Sequence, residues 1–216
     1  MGFITSLLDL LFPPKCAFCG KVLGAGDDAW CSRCTESLPF TLAGGRQGGN
    51  YFDFCVSPLY YTDAVRKSML RYKFKGMSAY ASVYGKILAA CICENPDIEY
   101  DVISWVPLSG KRKKARGYDQ AMLLALATAL ELGEAAVGTL EKLRDVRAQS
   151  ELYGLDERSA NISGAYEVPD RESVEGKRVL LIDDIITTGS TLSECARVLL
   201  EAGAIRVVCA SLARSK

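Results

Sequence analysis

The chain has 216 residues, 49% hydrophobic and 24% charged, enough apolar mass for a real core and too little charge for a disordered tail. Lys plus Arg and Asp plus Glu each total 26, so there is no whole-molecule basic field, and nucleic-acid contact has to come from local patches. There is no histidine, which excludes histidine triads, histidine acid–base chemistry and histidine metal ligands together.

Residues 2–12 are apolar but short, carry Asp9 and run into Pro13-Pro14 without a positive flank or cleavage site. They read as a short amphipathic helix packed on the body, not a signal peptide. Met1-Gly2 with Ser6 fits the loose myristoylation pattern, which is permissive enough for coincidence. No apolar run reaches the ~18 to 20 residues of a spanning helix. The expected setting is therefore the cytoplasm.

Cys16-x2-Cys19 and Cys31-x2-Cys34 form two pairs separated by eleven residues. Each pair lets two thiolates converge on one ion, and together they complete a tetrahedral Zn2+ shell. A closed shell of four thiolates is structural rather than catalytic. Redox pairs are the other reading, disfavoured by the odd total of nine cysteines and the missing export signal. The other five, Cys55, Cys91, Cys93, Cys195 and Cys209, lie in apolar runs and read as buried small hydrophobes.

Residues 44–49, rich in glycine, mark a boundary between an N-terminal module over 1–45 and a larger domain over 51–216. A strand is expected over 54–61 and a helix over 63–74. Within 77–93, Ala79, Val83, Ile87 and Cys91 recur at i+4 spacing on a second helix. A short strand follows over 102–106, then a basic loop with Lys111, Arg112, Lys113, Lys114 and Arg116, then a helix over 119–132. Residues 144–163 are polar and irregular. A strand over 178–182, a helix over 191–202 and a strand over 205–212 close the chain. Strands alternating with helices argue an α/β fold with a mainly parallel sheet.

The chemistry is concentrated in V-L-L-I-D-D-I-I-T-T-G-S-T, residues 179–191. A buried strand delivers Asp183 and Asp184 at its carboxyl end, where ligands of open α/β sheets bind. Thr187, Thr188, Gly189, Ser190 and Thr191 then lead into a helix. Their amides and hydroxyls suit one phosphate, beside a helix N-terminus that favours anions. The acids suit a sugar diol, directly or with Mg2+. An unrelated doubly wound domain whose acids hold a metal is the alternative.

The segment resembles the phosphoribosyl pyrophosphate (PRPP) motif of type I phosphoribosyltransferases. That resemblance implies that Asp183 and Asp184 face the ribose hydroxyls and that 187–191 cradle the 5′-phosphate. Two further segments fit. Val106-Pro107-Leu108-Ser109-Gly110 leads from a strand to Arg112 and Arg116, suited to a diphosphate, although a solvated basic loop is as good a reading. The polar segment with Gln149, Arg158 and Asn161 could serve as a lid excluding water, or as a plain connection.

Taken in order, the N-terminal helix, the four-cysteine knuckle, the V-P loop, Arg116-Gly117-Tyr118-Asp119-Gln120, Gln149-Ser150, Arg158-Ser159-Ala160-Asn161 and the PRPP motif resemble the ComF family. The likeness spans essentially the whole chain. Departures are Asp119 where the family has an amide, Ala148-Gln149-Ser150 for T-Q-T, and Ser159-Ala160 where arginines are common. The family implies a type I phosphoribosyltransferase fold with a zinc knuckle, Mg2+–PRPP as ligand, an unknown acceptor, and a role in DNA uptake beside a competence helicase. In the enzyme reading Asp183, Asp184, Arg112 and Arg116 carry the reaction. In the rival reading the protein is a non-catalytic PRPP sensor or a single-stranded-DNA adaptor. Arg66, Lys67, Arg71, Tyr72, Lys73 and Phe74 would then stack bases and pair phosphates, although a solvated amphipathic helix explains them as well.

Overall fold

A computed structural model describes residues 13–24, 29–143 and 164–216. The expected N-terminal helix over 2–12 lies outside the described residues, as does the segment 144–163 with Gln149, Arg158 and Asn161.

The sheet is parallel. Its strands are β1 (Cys55–Val56), β2 (Leu59–Tyr60), β3 (Val102–Trp105), β6 (Arg178–Ile186) and β7 (Arg206–Arg214). The order across it is β1, β7, β6, β3, with β2 also pairing β7. The register sets Val102 opposite Val179 and Ile182 opposite Ala210. The single strand expected over 54–61 is two short pieces, divided at Ser57-Pro58, because proline cannot donate to a ladder.

Helix α2 (Asp63–Phe74), α3 (Tyr80–Cys93) and α5 (Gln120–Glu131) share one core with Leu180 and Ile182 of β6. Helix α6 (Ser190–Glu201) shares a second core with Val179 and Leu181. Alternation along β6 thus feeds both layers, as a strand buried on both faces requires. Gly85 makes the α3–α5 approach close, since a Cβ there would stand 2.7 Å from Ala127.

Other features differ from expectation. The basic run expected as a loop is helix α4 (Gly110–Arg116), started by Ser109, whose hydroxyl accepts from the Arg112 amide at 3.4 Å. Gly117, at φ 83°, ends it. Cys93 is exposed, unlike Cys55, Cys91, Cys195 and Cys209, because it closes α3 on the solvent side. The antiparallel pair β4 (Glu141–Lys142) and β5 (Tyr166–Glu167) brings the two chain ends flanking 144–163 together, with the Leu143 amide donating to Ala165 at 2.9 Å.

The N-terminal module is continuous with the first core. Cys16 and Cys34 sulfurs are 3.6 Å apart and those of Cys19 and Cys31 3.7 Å, with all four within 4.8 Å of one another. A tetrahedral zinc with Zn–S near 2.3 Å needs sulfurs ~3.8 Å apart, so the four thiolates fit Zn2+. Burial raises the Cys16 thiol, but amide donors of neighbouring residues outweigh it and bring it down to about 6, toward the ligand form. Phe18 packs on Trp30 and Tyr84, and Arg71 of α2 donates to the Ala17 and Phe18 carbonyls at 2.9 and 2.7 Å. Helix α1 (Ser32–Ser37) carries Cys34.

Removing the metal leaves four converging thiols without a centre. Chelation, or Cys16→Ser, is expected to cost about 2 kcal/mol or more. In a chain of this size that lowers Tm by roughly 4–8 °C. Zinc content by atomic absorption, with Trp30 emission moving to the red, is the measurement. An unchanged Tm after complete metal loss would refute the structural role.

Candidate functional site at the carboxyl edge of the sheet

Strand β6 runs through Asp183 and Asp184 and ends at Ile186, so the two acids are part of the strand rather than of the loop after it. Adjacent strand residues point to opposite faces. Asp183 lies on the α6 side, lining a small pocket with Ile185, Thr187, Gly189, Ser190 and Thr191. Asp184 lies on the α2–α5 side, against Lys73 and Gln120.

The loop over 187–191 turns through Gly189, which caps α6 at φ 78°, a left-handed conformation that glycine adopts without strain. Thr188 and Ser190 hydroxyls are 2.9 Å apart, and the Ser190 amide donates to Thr188 Oγ1 at 3.4 Å. From the other side, Gln47 Nε2 donates to the Thr187 carbonyl at 3.2 Å. The Gln47 segment is itself tied down by Arg214 at the end of β7, which donates to the Gly45 and Arg46 carbonyls at 2.9 and 3.0 Å. Amides, hydroxyls and a helix N-terminus that meet around one small concavity can hold a phosphate-sized anion.

The acids are held in contrasting ways. Burial, reinforced by the neighbouring Asp184 charge, pushes the Asp183 carboxyl up to about 8, against a hydrogen bond that the Asp184 backbone amide donates to it at 2.7 Å, which pulls it down. Asp184 is ion-paired: Lys73 Nζ stands 3.0 Å from Oδ1 and 2.8 Å from Oδ2. Gln120 Nε2 is 3.5 Å from Asp184 Oδ2, while its buried Oε1 has no partner among the described residues. A ribose hydroxyl or a hydrated cation would satisfy it. The Asp184 carboxylate beside an orphaned amide oxygen offers oxygen donors of the kind that fit Mg2+ arriving with a phosphate ligand.

Arg116, half-buried, holds its guanidinium 4.8 Å over the Phe74 ring. Desolvation lowers its pKa, with the Asp184 charge opposing. Arg112 stands one turn earlier on α4, close enough for its charge to act on Arg116. Asp119 is buried and committed to the backbone. It accepts from the Leu108 amide at 2.8 Å and the Met122 amide at 3.2 Å, fixing the V-P loop to the start of α5. An Asn at this position could offer only one of its side-chain atoms as acceptor, so the carboxylate suits this double capping role.

The six α2 residues considered for nucleic acid do not share one surface. Tyr72 is buried with its hydroxyl on the Gln120 carbonyl, so no base can stack on it. Arg71 is spent on the zinc module and Lys73 on Asp184. Arg66, Lys67 and Phe74 are exposed. Sequence reasoning gave no site role to Gln120 or Gln47, and placed Lys73 only in the nucleic-acid stripe and not beside Asp184. Gln120 stood inside a quoted motif. Lys73 meets Asp184 across 111 residues, with no local pattern to signal it.

Residues 120–216 match the family described as Phosphoribosyl transferase domain, and residues 7–46 match Double zinc ribbon domain. Competence protein ComFC of Bacillus subtilis (strain 168) is 29% identical over 143 residues, covering 66% of this chain and 56% of that protein. Competence protein ComFC of Streptococcus pneumoniae is 31% identical over 154 residues, 71% of this chain and 65% of that protein. Competence protein F of Haemophilus influenzae is 25% identical over 223 residues, 93% of this chain and 97% of that protein. The chain thus spans less than two thirds of the length of the two ComFC relatives.

A carboxyl raised to about 8 has a sign that can be tested. The folded protein holds a proton on Asp183 that the unfolded chain releases above ~4, so stability falls as pH rises from there toward 8 and then levels off. Asp183→Asn is expected to stabilise the protein near pH 8 by roughly 2 kcal/mol, and by almost nothing near pH 4. Urea unfolding across that range decides it. A variant less stable than the native protein at pH 8 would contradict the assignment.

Proposed function

Because the chain belongs to the ComF family, with a phosphoribosyltransferase-type fold and an N-terminal zinc ribbon, we propose that it binds Mg2+–PRPP and serves a competence-type role in DNA uptake. The observation that carries the ligand reading is the pocket in which Asp183 and the 187–191 loop meet at the α6 N-terminus. In this reading Thr187, Thr188, Gly189, Ser190 and Thr191 hold the 5′-phosphate. Asp183 and Asp184 take the ribose hydroxyls from opposite faces of β6, and Gln120 adds an acceptor beside Asp184. The division into a module over 1–45 and a ligand-binding domain over 51–216 belongs to the same proposal.

We further propose phosphoribosyl transfer, with pyrophosphate leaving as an acceptor attacks the anomeric carbon. Mg2+, when bound, neutralises diphosphate charge. The chain's own part is positional and electrostatic: Arg112 and Arg116 face the leaving diphosphate, and the acids orient the ribose. A guanidinium already desolvated at rest, as in Arg116, binds phosphate oxygens with less reorganisation than one drawn from water. With no histidine in the chain, the acceptor's proton goes to a carboxylate or to solvent.

Titration calorimetry of the zinc-loaded protein with Mg2+–PRPP tests the ligand, with Asp183→Asn/Asp184→Asn as comparison. The native protein is expected to bind, and the double variant to lose about 100-fold or more. Pyrophosphate release over a panel of bases and amines tests turnover. No heat with the native protein sinks the ligand reading. Binding without pyrophosphate release above a no-enzyme control leaves a sensor in place of the enzyme.

A further inference from the structure

Lys73 sits where the ligand reading gives it nothing to do. Its ammonium and the Asp184 carboxylate are both largely withdrawn from water, with side chains 17% and 11% exposed. An ion pair so placed is held by its surroundings, and either charge left alone there would be costly. Gln120 touches the same carboxylate and offers an unused acceptor beside it. The next residue along α2, Phe74, lies under the Arg116 guanidinium, and Arg116 feels the charge of the Asp184 carboxylate that Lys73 pairs. With Arg112 acting on Arg116, three cations gather against the carboxylates of Asp184 and Asp119, and Asp119 is already bound to two amides. Lys73 and Arg116 therefore both act on Asp184 on the α2–α4 side of the edge, and the α6 side carries the pocket of Asp183 and the 187–191 loop.

We propose that Lys73 is an exchangeable counter-ion. It neutralises Asp184 while no ligand is bound, and moves onto the diphosphate of the donor when a ribose hydroxyl takes its place on Asp184. The inference rests on the PRPP reading above and deepens it by assigning the diphosphate a residue that no motif marks. A lysine suits the exchange, having a flexible four-carbon stem and three donors with no fixed plane. Specificity follows. A sugar phosphate without a diphosphate gives the ammonium nowhere to go, so it has to compete with Lys73 for Asp184. A donor with a diphosphate satisfies both charges at once.

The test compares Mg2+–PRPP with ribose 5-phosphate, by calorimetry on the full zinc-loaded chain, in the native protein and in Lys73→Met, Lys73→Gln and Lys73→Arg. Lys73→Met and Lys73→Gln are expected to weaken Mg2+–PRPP about 10-fold or more while ribose 5-phosphate binds as well as before or better. Lys73→Arg should retain most of the affinity. The glutamine amide can still donate to Asp184, so a merely positioning role would be rescued by it, and Mg2+–PRPP affinity at the native level in Lys73→Gln overturns the proposal. Equal losses for both ligands would overturn it too, since that marks general damage to the site. Should Lys73→Met fail to fold, the glutamine and arginine variants decide alone. If the native protein binds neither ligand, the PRPP reading fails and this one with it. If it binds both and the variants match it, only the role of Lys73 falls.

Discussion

Strand β6 has to be apolar on both faces and still end in two carboxylates, and the rest of the site answers to that conflict. It is sandwiched between β3 and β7 with helices above and below, so Val179, Leu180, Leu181 and Ile182 leave no room for polar groups until the sheet edge is reached. Two successive acids at that edge fall on opposite faces and meet different protein groups. One face offers Lys73 as a counter-charge, and Asp184 takes it. The other offers amides, hydroxyls and a helix N-terminus, and burial there raises the Asp183 carboxyl to about 8 instead. A buried carboxyl with a raised pKa and a carboxylate paired with a lysine are stored tension, of the kind functional sites hold at a cost in stability.

The zinc module bears on the same point through α2. The four cysteines fix the backbone that presents the Ala17 and Phe18 carbonyls, and Arg71 reaches for both. Ser68, one turn earlier, also donates to the Ala17 carbonyl. Those contacts set the rotation and depth of α2, whose last turn carries Tyr72 into the core and Lys73 to Asp184. The Tyr118 hydroxyl, donating to the Tyr72 carbonyl, ties the same turn to the start of α5. Metal centre and carboxylate edge are therefore joined by one helix, and the module acts as a buttress for the site rather than an appendage to it.

Much of this was legible in the sequence because the signals are local. The doubled CxxC needs only its spacing, and the run from Val179 to Thr191 spells strand, acids, turn and helix in order. The i+4 pattern in α3 and the apolar stretch of β6 follow from periodicity alone. What escaped is non-local or depends on capping. The helix over Gly110–Arg116 has no apolar face to announce it and exists because Ser109 and Gly117 close its ends. Asp119 reads as a misplaced charge until its two amide donors are seen across the V-P loop. Lys73 and Tyr72 look like members of one basic, aromatic stripe, and only tertiary packing sends them to different fates. Phosphate-loop residues announce themselves; the cations and amides that converge on the acids from other elements do not.

The most direct probe of the central claim, a 5′-phosphate cradle at residues 187–191, is amide NMR of the labelled protein during titration with ribose 5-phosphate. Saturable downfield shifts concentrated at Thr187, Thr188, Gly189, Ser190 and Thr191 are the expected result, since those amides would donate to phosphate oxygens. Shifts centred elsewhere, or none up to millimolar ligand, would contradict it.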